Sequence, residues 1–247
     1  MKVVLAQEAR CDVVGHGMVV IIHGFMGSPQ QFEYLSEAVQ MSGYSVTTPV
    51  LPGHGGTLQE FSESKFERWQ EHVDTELERL ARDNESIWLI GHSMGGLLAL
   101  NASERFSRQV RGVFTIACPF EFTRFSAKVV KARLLQTFNS KIRSEYFSGN
   151  SIPVSPSLLW RIRKPAAEVK KLMLSTRENL PRIHAPVMAV YSSFDEVTSI
   201  CSIDILKSAL SNTHFEYLLL NESLHAFYPK HEREMIKNAL LQFLDFT

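Results

Sequence analysis

The sequence has few cysteines and no long hydrophobic run, which argues against a disulfide-rich protein and against a membrane-spanning one. Its three cysteines, Cys11, Cys118 and Cys201, are odd in number, far apart and without a Cys-x-x-Cys spacing. We therefore expect neither a disulfide framework nor a zinc site. No apolar stretch approaches membrane-spanning length. The apolar run at residues 3–6 is too short for the core of a secretory leader, so we expect a cytoplasmic protein.

Cofactor motifs are missing as well. The sequence contains no phosphate-binding loop, no dinucleotide fingerprint and no cluster of metal-ligating residues, so no cofactor and no metal is expected. Its 26 basic and 26 acidic residues balance to a formal net charge of zero, which does not favour a nucleic-acid partner. We expect a small-molecule substrate instead, and the oligomeric state does not follow from the sequence.

The balanced charge conceals an uneven distribution along the chain. Residues 121–182 contain thirteen Lys or Arg and four Glu, a net charge of +9, so the remainder carries −9. The simpler interpretation is a solvated basic face beside an acidic body. The alternative is that this segment attracts an anionic substrate such as a lysophospholipid or an acyl-CoA thioester, or weakly contacts an anionic lipid surface.

Strand-like and helix-like segments alternate along the chain, which is typical of a mostly parallel sheet with helices on both faces. Apolar runs predict strands at 18–22, 44–47, 86–90, 110–117, 186–191 and 215–219. Helical spacing predicts helices at 28–43, 66–80, 200–210 and 231–246, with another starting near 97. Between 121 and 182 only helix-like stretches occur, around 129–138 and 158–174. We therefore predict one α/β domain, with its core at 1–120 and 183–247 and a helical cap or lid at 121–182.

Ser93 stands between a predicted strand and a predicted helix, in the run Gly-His-Ser-Met-Gly at 91–95. A serine at such a corner has a strained backbone and an exposed hydroxyl, and the glycines let neighbouring backbone pass closely. This pattern predicts the nucleophile elbow of a serine hydrolase. A turn serine or a helix cap is the alternative, but the flanking strand and helix favour the elbow.

A serine hydroxyl needs a base and an orienting acid, and in this topology both follow the nucleophile in sequence. Asp195, in the turn after the strand at 186–191, is the candidate acid; its neighbour Glu196 is not formally excluded. Asp195 has the alternative role of capping the following helix. His225, in the loop after the last predicted strand, is the candidate base. His54 is expected to support its own loop.

Acyl transfer also requires donors for the developing oxyanion. The backbone N–H of Met94, directly after Ser93, is one candidate. We assign the other to the Phe25 N–H, in the run His-Gly-Phe-Met-Gly at 23–27 that follows the first predicted strand. A glycine-rich connection without chemical meaning is the alternative for this loop.

These motifs, with Leu-Pro-Gly-His-Gly at 51–55, Asp195 and His225, resemble the α/β-hydrolase superfamily, and more narrowly the bacterial monoacylglycerol lipases and related small carboxylesterases. The resemblance implies Ser93 as nucleophile, Asp195 as acid, His225 as base, and the Phe25 and Met94 amides as oxyanion hole. It also implies that 121–182 is the family's cap. Aromatic and aliphatic residues in this segment and directly before it either line an acyl pocket or pack the cap itself: Phe120, Phe122, Phe125, Leu134, Phe138, Tyr146, Phe147, Leu159 and Trp160.

The resulting hypothesis is a serine hydrolase that cleaves a monoacylglycerol or similar acyl ester through an acyl-enzyme. Serine at the elbow disfavours haloalkane dehalogenases and epoxide hydrolases, which place aspartate there. Two alternatives remain open. One is an acyl-CoA thioesterase or C–C bond hydrolase with the same residues, and the other is a non-catalytic ligand-binding relative.

Overall fold

The computed structural model describes residues 16–124, 141, 144–145 and 161–247. Within them six parallel strands form one sheet in the order β2-β1-β3-β4-β5-β6. The strands are β1 Met18–Ile22, β2 Ser45–Thr47, β3 Ile87–His92, β4 Val110–Ile116, β5 Val187–Ser192 and β6 Phe215–Leu220. Each predicted strand is present, with ends shifted by a residue or two.

Helices connect these strands. The described α-helices are α1 Glu33–Met41, α2 Leu58–Ser62, α3 Phe66–Leu80, α4 Met94–Arg105, α5 Arg163–Asn179, α6 Ser202–Ala209 and α7 Lys230–Phe246. Short 3-10 turns lie at Pro29–Phe32 and Leu180–Arg182. The helix predicted at 28–43 is thus a 3-10 turn followed by α1. The short helix α2 was not predicted, although Thr57 and Glu60 form a capping box at its start.

Among the described residues, the apolar core has two large parts, one on each face of the sheet, because alternate residues of a strand point to opposite faces. In β1, Val19 and Ile21 pack on the face covered by α1 and α7, whereas Val20 and Ile22 pack on the face covered by α3, α4, α5 and α6. Helices therefore cover both faces of a parallel sheet, as predicted.

The segment predicted as a cap is described only in part. Helix α5 overlaps the predicted helix at 158–174, and its Leu172 is fully buried in the same cluster as Leu97 of α4. This helix of the 121–182 segment thus packs into the main apolar core. Several predicted features lie outside the described residues: the apolar run at 3–6, Cys11 and the helix at 129–138. The same holds for most of the predicted acyl-pocket residues, namely Phe125, Leu134, Phe138, Tyr146, Phe147, Leu159 and Trp160. The domain boundaries stay a prediction.

Candidate active site

Ser93 lies at a sharp turn between β3 and α4. Its backbone has φ 51° and ψ −118°, a left-handed value that a non-glycine residue adopts only at a cost, and its N–H donates to the Ile116 carbonyl at 2.8 Å. A Cβ on Gly91 would lie 2.3 Å from the Gly95 carbonyl oxygen, and one on Gly95 would lie 2.2 Å from the Ile22 carbonyl oxygen. Only glycine allows the backbone to approach this closely, so the strand-turn-helix geometry depends on both glycines.

Three side chains remote in sequence meet at the carboxyl ends of β3, β5 and β6. The Ser93 hydroxyl is 3.0 Å from His225 Nε2, and His225 Nδ1 lies 2.9 Å from Asp195 Oδ2. With the proton on Nδ1, the ring donates to the carboxylate and accepts from the hydroxyl. The Asp195 side chain is 3% exposed and that of His225 is 12% exposed. The structure therefore aligns a hydroxyl, an imidazole and a carboxylate in one hydrogen-bonded chain.

Asp195 also fixes its own turn. Its Oδ1 accepts from the N–H groups of Val197 at 2.7 Å and Thr198 at 2.8 Å. Helix α6 begins only at Ser202, so Asp195 closes a turn and does not cap the helix. One carboxylate thus both stabilises its loop and contacts the imidazole.

Glu196, the other candidate acid, contacts the same histidine at a different atom. It is 5% exposed, and its Oε2 accepts from the backbone N–H of His225 at 3.0 Å. The structure therefore places Asp195 against the ring and Glu196 against the main chain.

The His225 carbonyl is held by two further side chains that sequence reasoning did not select. His92 donates to it from Nε2 at 2.9 Å, and the Tyr228 hydroxyl donates at 3.0 Å. Burial lowers the pKa of His92 to about 3, so its ring is neutral at physiological pH. The position of His92 in the elbow motif could have indicated its role, whereas no sequence pattern indicates a role for Tyr228.

The loop at 23–27 lies directly against the serine. A Cβ on Gly24 would be 3.2 Å from Ser93 Cβ. Phe25 packs its ring against Phe61 at 5.0 Å between centroids. Within the described part of the chain, neither the Phe25 N–H nor the Met94 N–H donates a hydrogen bond to another protein group. These two amides are thus available at the serine end of the site.

Two buried histidines hold this loop in place. His23 Nε2 accepts from the Leu51 N–H at 3.1 Å, and His54 Nε2 accepts from the Met26 N–H at 3.2 Å. Burial lowers the pKa of His23 to about 4 and that of His54 to about 3, which keeps both rings neutral and able to accept. His54 was predicted to support its own loop. It contacts that loop through Pro52, but it also supports the neighbouring loop at 23–27.

The rest of the described chain adds no other chemistry to this site. No group of three or more His, Cys, Asp or Glu side chains suited to a metal ion occurs in the described ranges. No helix there is long and apolar enough to span a membrane. Cys118 is a buried free thiol and Cys201 an exposed one. Phe120 is buried, whereas Phe122 is 41% exposed.

Comparison with known proteins agrees with this fold. The chain is 27% identical to a thermostable monoacylglycerol lipase of Bacillus sp. (strain H-257) over 227 residues, 91% of this chain and 89% of that protein. It is 22% identical to a carboxylesterase of Bacillus subtilis (strain 168), covering 94% of this chain and 93% of that one. The crystal structure of Paleococcus ferrophilus monoacylglycerol lipase has the same fold, with a TM-score of 0.74, 20% identity, and 96% of this chain and 97% of that chain covered.

The family profile described as "Serine aminopeptidase, S33" (Hydrolase_4) matches residues 15–234, which include the elbow, Asp195 and His225. The predicted resemblance to α/β-hydrolases of the monoacylglycerol lipase and carboxylesterase kind is thereby confirmed. The chain belongs to the Hydrolase_4 (serine aminopeptidase, S33) family and has the α/β-hydrolase fold.

Proposed function

We propose that this protein is a serine hydrolase that cleaves carboxylic esters through an acyl-enzyme. Ser93 is the nucleophile, His225 the general base and acid, and Asp195 the orienting carboxylate. The observation that carries the proposal is the continuous chain Ser93 Oγ–His225–Asp195, with distances of 3.0 and 2.9 Å. These distances lie within the hydrogen-bond range that proton transfer requires.

In the proposed reaction the three side chains act in turn. His225 Nε2 takes the hydroxyl proton as Ser93 Oγ attacks the ester carbonyl, and the imidazolium that forms is stabilised by Asp195. The same proton then passes to the leaving alcohol as the C–O bond of the ester breaks, which leaves an acyl group on Ser93. Water, deprotonated by His225, attacks this acyl group. The bond between the acyl carbon and Ser93 Oγ then breaks, His225 returns the proton to Ser93, and the acid leaves.

The N–H groups of Phe25 and Met94 complete the proposed machinery as an oxyanion hole. Phe25 belongs to the loop at 23–27, which lies against Ser93 and is held by His23 and His54, and Met94 is the first residue of α4. Removal of one oxyanion donor typically costs about 3 kcal/mol of barrier, so this pair supplies a large share of the catalysis.

The proposed substrate class is a monoacylglycerol or similar acyl ester. Two relatives that match along nearly their whole length are named monoacylglycerol lipase and carboxylesterase, whereas the family description names a peptidase. An acyl-CoA thioesterase or C–C bond hydrolase is the alternative for the same residues. Residues 121–182 are proposed to form the cap over the site, and the protein is predicted to be cytoplasmic.

A fluorophosphonate probe tests whether the serine reacts. We expect the probe to label the wild-type protein and the Ser107→Ala control, and not to label Ser93→Ala. Ser107 is an exposed residue just after the C-terminal end of α4, whereas Ser93 precedes its N-terminal end. A wild-type chain that the probe does not label would favour a non-catalytic ligand-binding relative.

A substrate panel then tests the reaction class. Monoacylglycerol and nitrophenyl esters of increasing chain length are compared with acyl-CoA and an aminoacyl nitroanilide. We expect the highest kcat/KM on a neutral ester. A higher value on the thioester or the anilide would replace the ester assignment.

The same substrates also test the role of the +9 net charge of residues 121–182. If this segment attracts anionic substrates, turnover of acyl-CoA will fall with ionic strength while turnover of neutral monoacylglycerol will not. An equal salt response of the two substrates would leave the +9 charge as a solvated face.

A further inference from the structure

Every backbone polar group of His225 is bonded to a side chain. Its N–H donates to Glu196 Oε2 at 3.0 Å, and its carbonyl accepts from His92 Nε2 at 2.9 Å and from the Tyr228 hydroxyl at 3.0 Å. The residue lies in a loop after β6, outside any helix or strand that would otherwise bind these groups. Side chains therefore form the hydrogen bonds that backbone groups of a helix or strand would normally provide to the main chain.

Glu196 is the distinctive member of this set because it is adjacent to Asp195. One turn, closed by Asp195 Oδ1 on Val197 and Thr198, presents two consecutive carboxylates to one histidine. Asp195 contacts the ring and Glu196 contacts the main chain, so the same short segment holds His225 at two points. Two attachment points restrict both the position of the His225 Cα and the direction of its ring.

We propose that Glu196 is a positioning residue for His225, acting as the hydrogen-bond acceptor that keeps the imidazole between Ser93 and Asp195. This inference rests on the proposed function. Glu196 does not touch the reacting atoms, and what matters is the placement of its acceptor oxygen. Loss of that acceptor strands a buried N–H and frees the loop that carries the general base.

Three substitutions separate the acceptor from the charge. Glu196→Gln keeps an oxygen at the same reach and removes the charge, Glu196→Asp keeps the charge and withdraws the oxygen by one methylene, and Glu196→Met removes the acceptor and keeps the length. Glu216→Gln is the matched control, because its side chain is 63% exposed on β6. Each variant is assayed below its unfolding transition, so that lost stability is not mistaken for lost catalysis.

We expect Glu196→Asp and Glu196→Met to lower kcat on a nitrophenyl ester by about 10- to 100-fold, as a misplaced catalytic group does, with KM changed by less than about 3-fold. The rate of fluorophosphonate labelling should fall in parallel, because it depends on the same base. Glu196→Gln and Glu216→Gln should keep kcat within about 3-fold of wild type, since a neutral oxygen still accepts the N–H.

The three Glu196 variants distinguish an effect of the acceptor oxygen from an effect of the charge. Wild-type kcat in Glu196→Asp, or a loss in Glu196→Gln as large as that in Glu196→Met, would overturn the inference; the second result would assign the effect to charge. If Glu196→Met does not fold, the contrast between the Gln and Asp variants decides alone. Failure of the proposed function looks different, because the wild-type chain itself would then resist the probe and leave the esters uncleaved.

Discussion

Gly95 stands where the first turn of α4 crosses the end of β1. A Cβ on this residue would lie 2.2 Å from the Ile22 carbonyl oxygen and 2.6 Å from the His23 carbonyl oxygen. Both atoms belong to buried backbone, so neither can rotate aside as a flexible side chain would. In the Gly95→Ala variant, α4 and β1 must therefore separate by more than an ångström to reach an ordinary contact of 3.4 Å.

This separation would move the two halves of the proposed oxyanion hole apart. Met94 lies at the start of α4, and Phe25 lies in the loop that continues β1. A misplacement of about 1 Å costs about 100-fold in rate, so we expect kcat of Gly95→Ala to fall by about that factor. Overpacking costs about 1–3 kcal/mol, and the better helix propensity of alanine returns only about 1 kcal/mol, so the variant should be less stable by up to about 2 kcal/mol.

The assay combines steady-state hydrolysis of a nitrophenyl ester with urea unfolding. Gly56→Ala is the control for activity, because the three atoms nearest its added Cβ all belong to the exposed side chain of Glu60. We expect this control to keep kcat but to lose some stability, because its Cβ displaces Glu60 Oε2 from the Thr57 N–H in the capping box of α2. Wild-type kcat in Gly95→Ala would refute the reasoning, since it would mean that α4 can shift without disturbing the site.

Two further predictions concern stability. Glu232 of α7 is buried and accepts from the N–H groups of Asn221 and Glu222 and from the Ser223 hydroxyl. Ser223 is fully buried, whereas Asn221 and Glu222 are exposed residues. A stranded buried donor costs about 1–3 kcal/mol, so Glu232→Leu should lower the urea-unfolding free energy by about that amount through the Ser223 hydroxyl; an unchanged value would show that this hydroxyl finds another partner. The buried histidines predict acid sensitivity. Their pKa values are lowered from 6.5 to about 4 (His23) and about 3 (His54, His92), so below pH 6.5 the unfolded chain binds protons that the folded chain does not. Stability should be full above that pH and fall as pH drops toward 4, and a urea midpoint unchanged between pH 7 and pH 5 would contradict this.

The strands were predictable because burial on both faces requires continuous apolar runs, as in β1 and β3. Helix α3 was predictable because Trp69, Val73, Leu77 and Leu80 recur at helical spacing on its buried side. The short helix α2 was missed because one and a half turns give no periodicity, although its capping box was visible in the sequence. The sequence did not predict what helix α5 packs against, because apolar spacing reveals that a helix has a buried face but not what covers it. The helix lies in the segment assigned to the cap, and its Leu172 packs into the main apolar core.

The sequence by itself determined the local chemistry: a serine between two glycines at a strand-to-helix corner, an acid and then a histidine after later strands, and an amide-bearing loop after β1. These are short-range patterns, because backbone sterics and strand burial act over a few residues. Only the tertiary structure decided which carboxylate reaches the imidazole and which reaches its main chain. Asp195 and Glu196 are neighbours in the chain, and their partner His225 is about 30 residues away, with Ser93 a further hundred residues upstream. Contacts over such separations depend on how the parallel strands pack and where their loops end, and no local pattern records that arrangement.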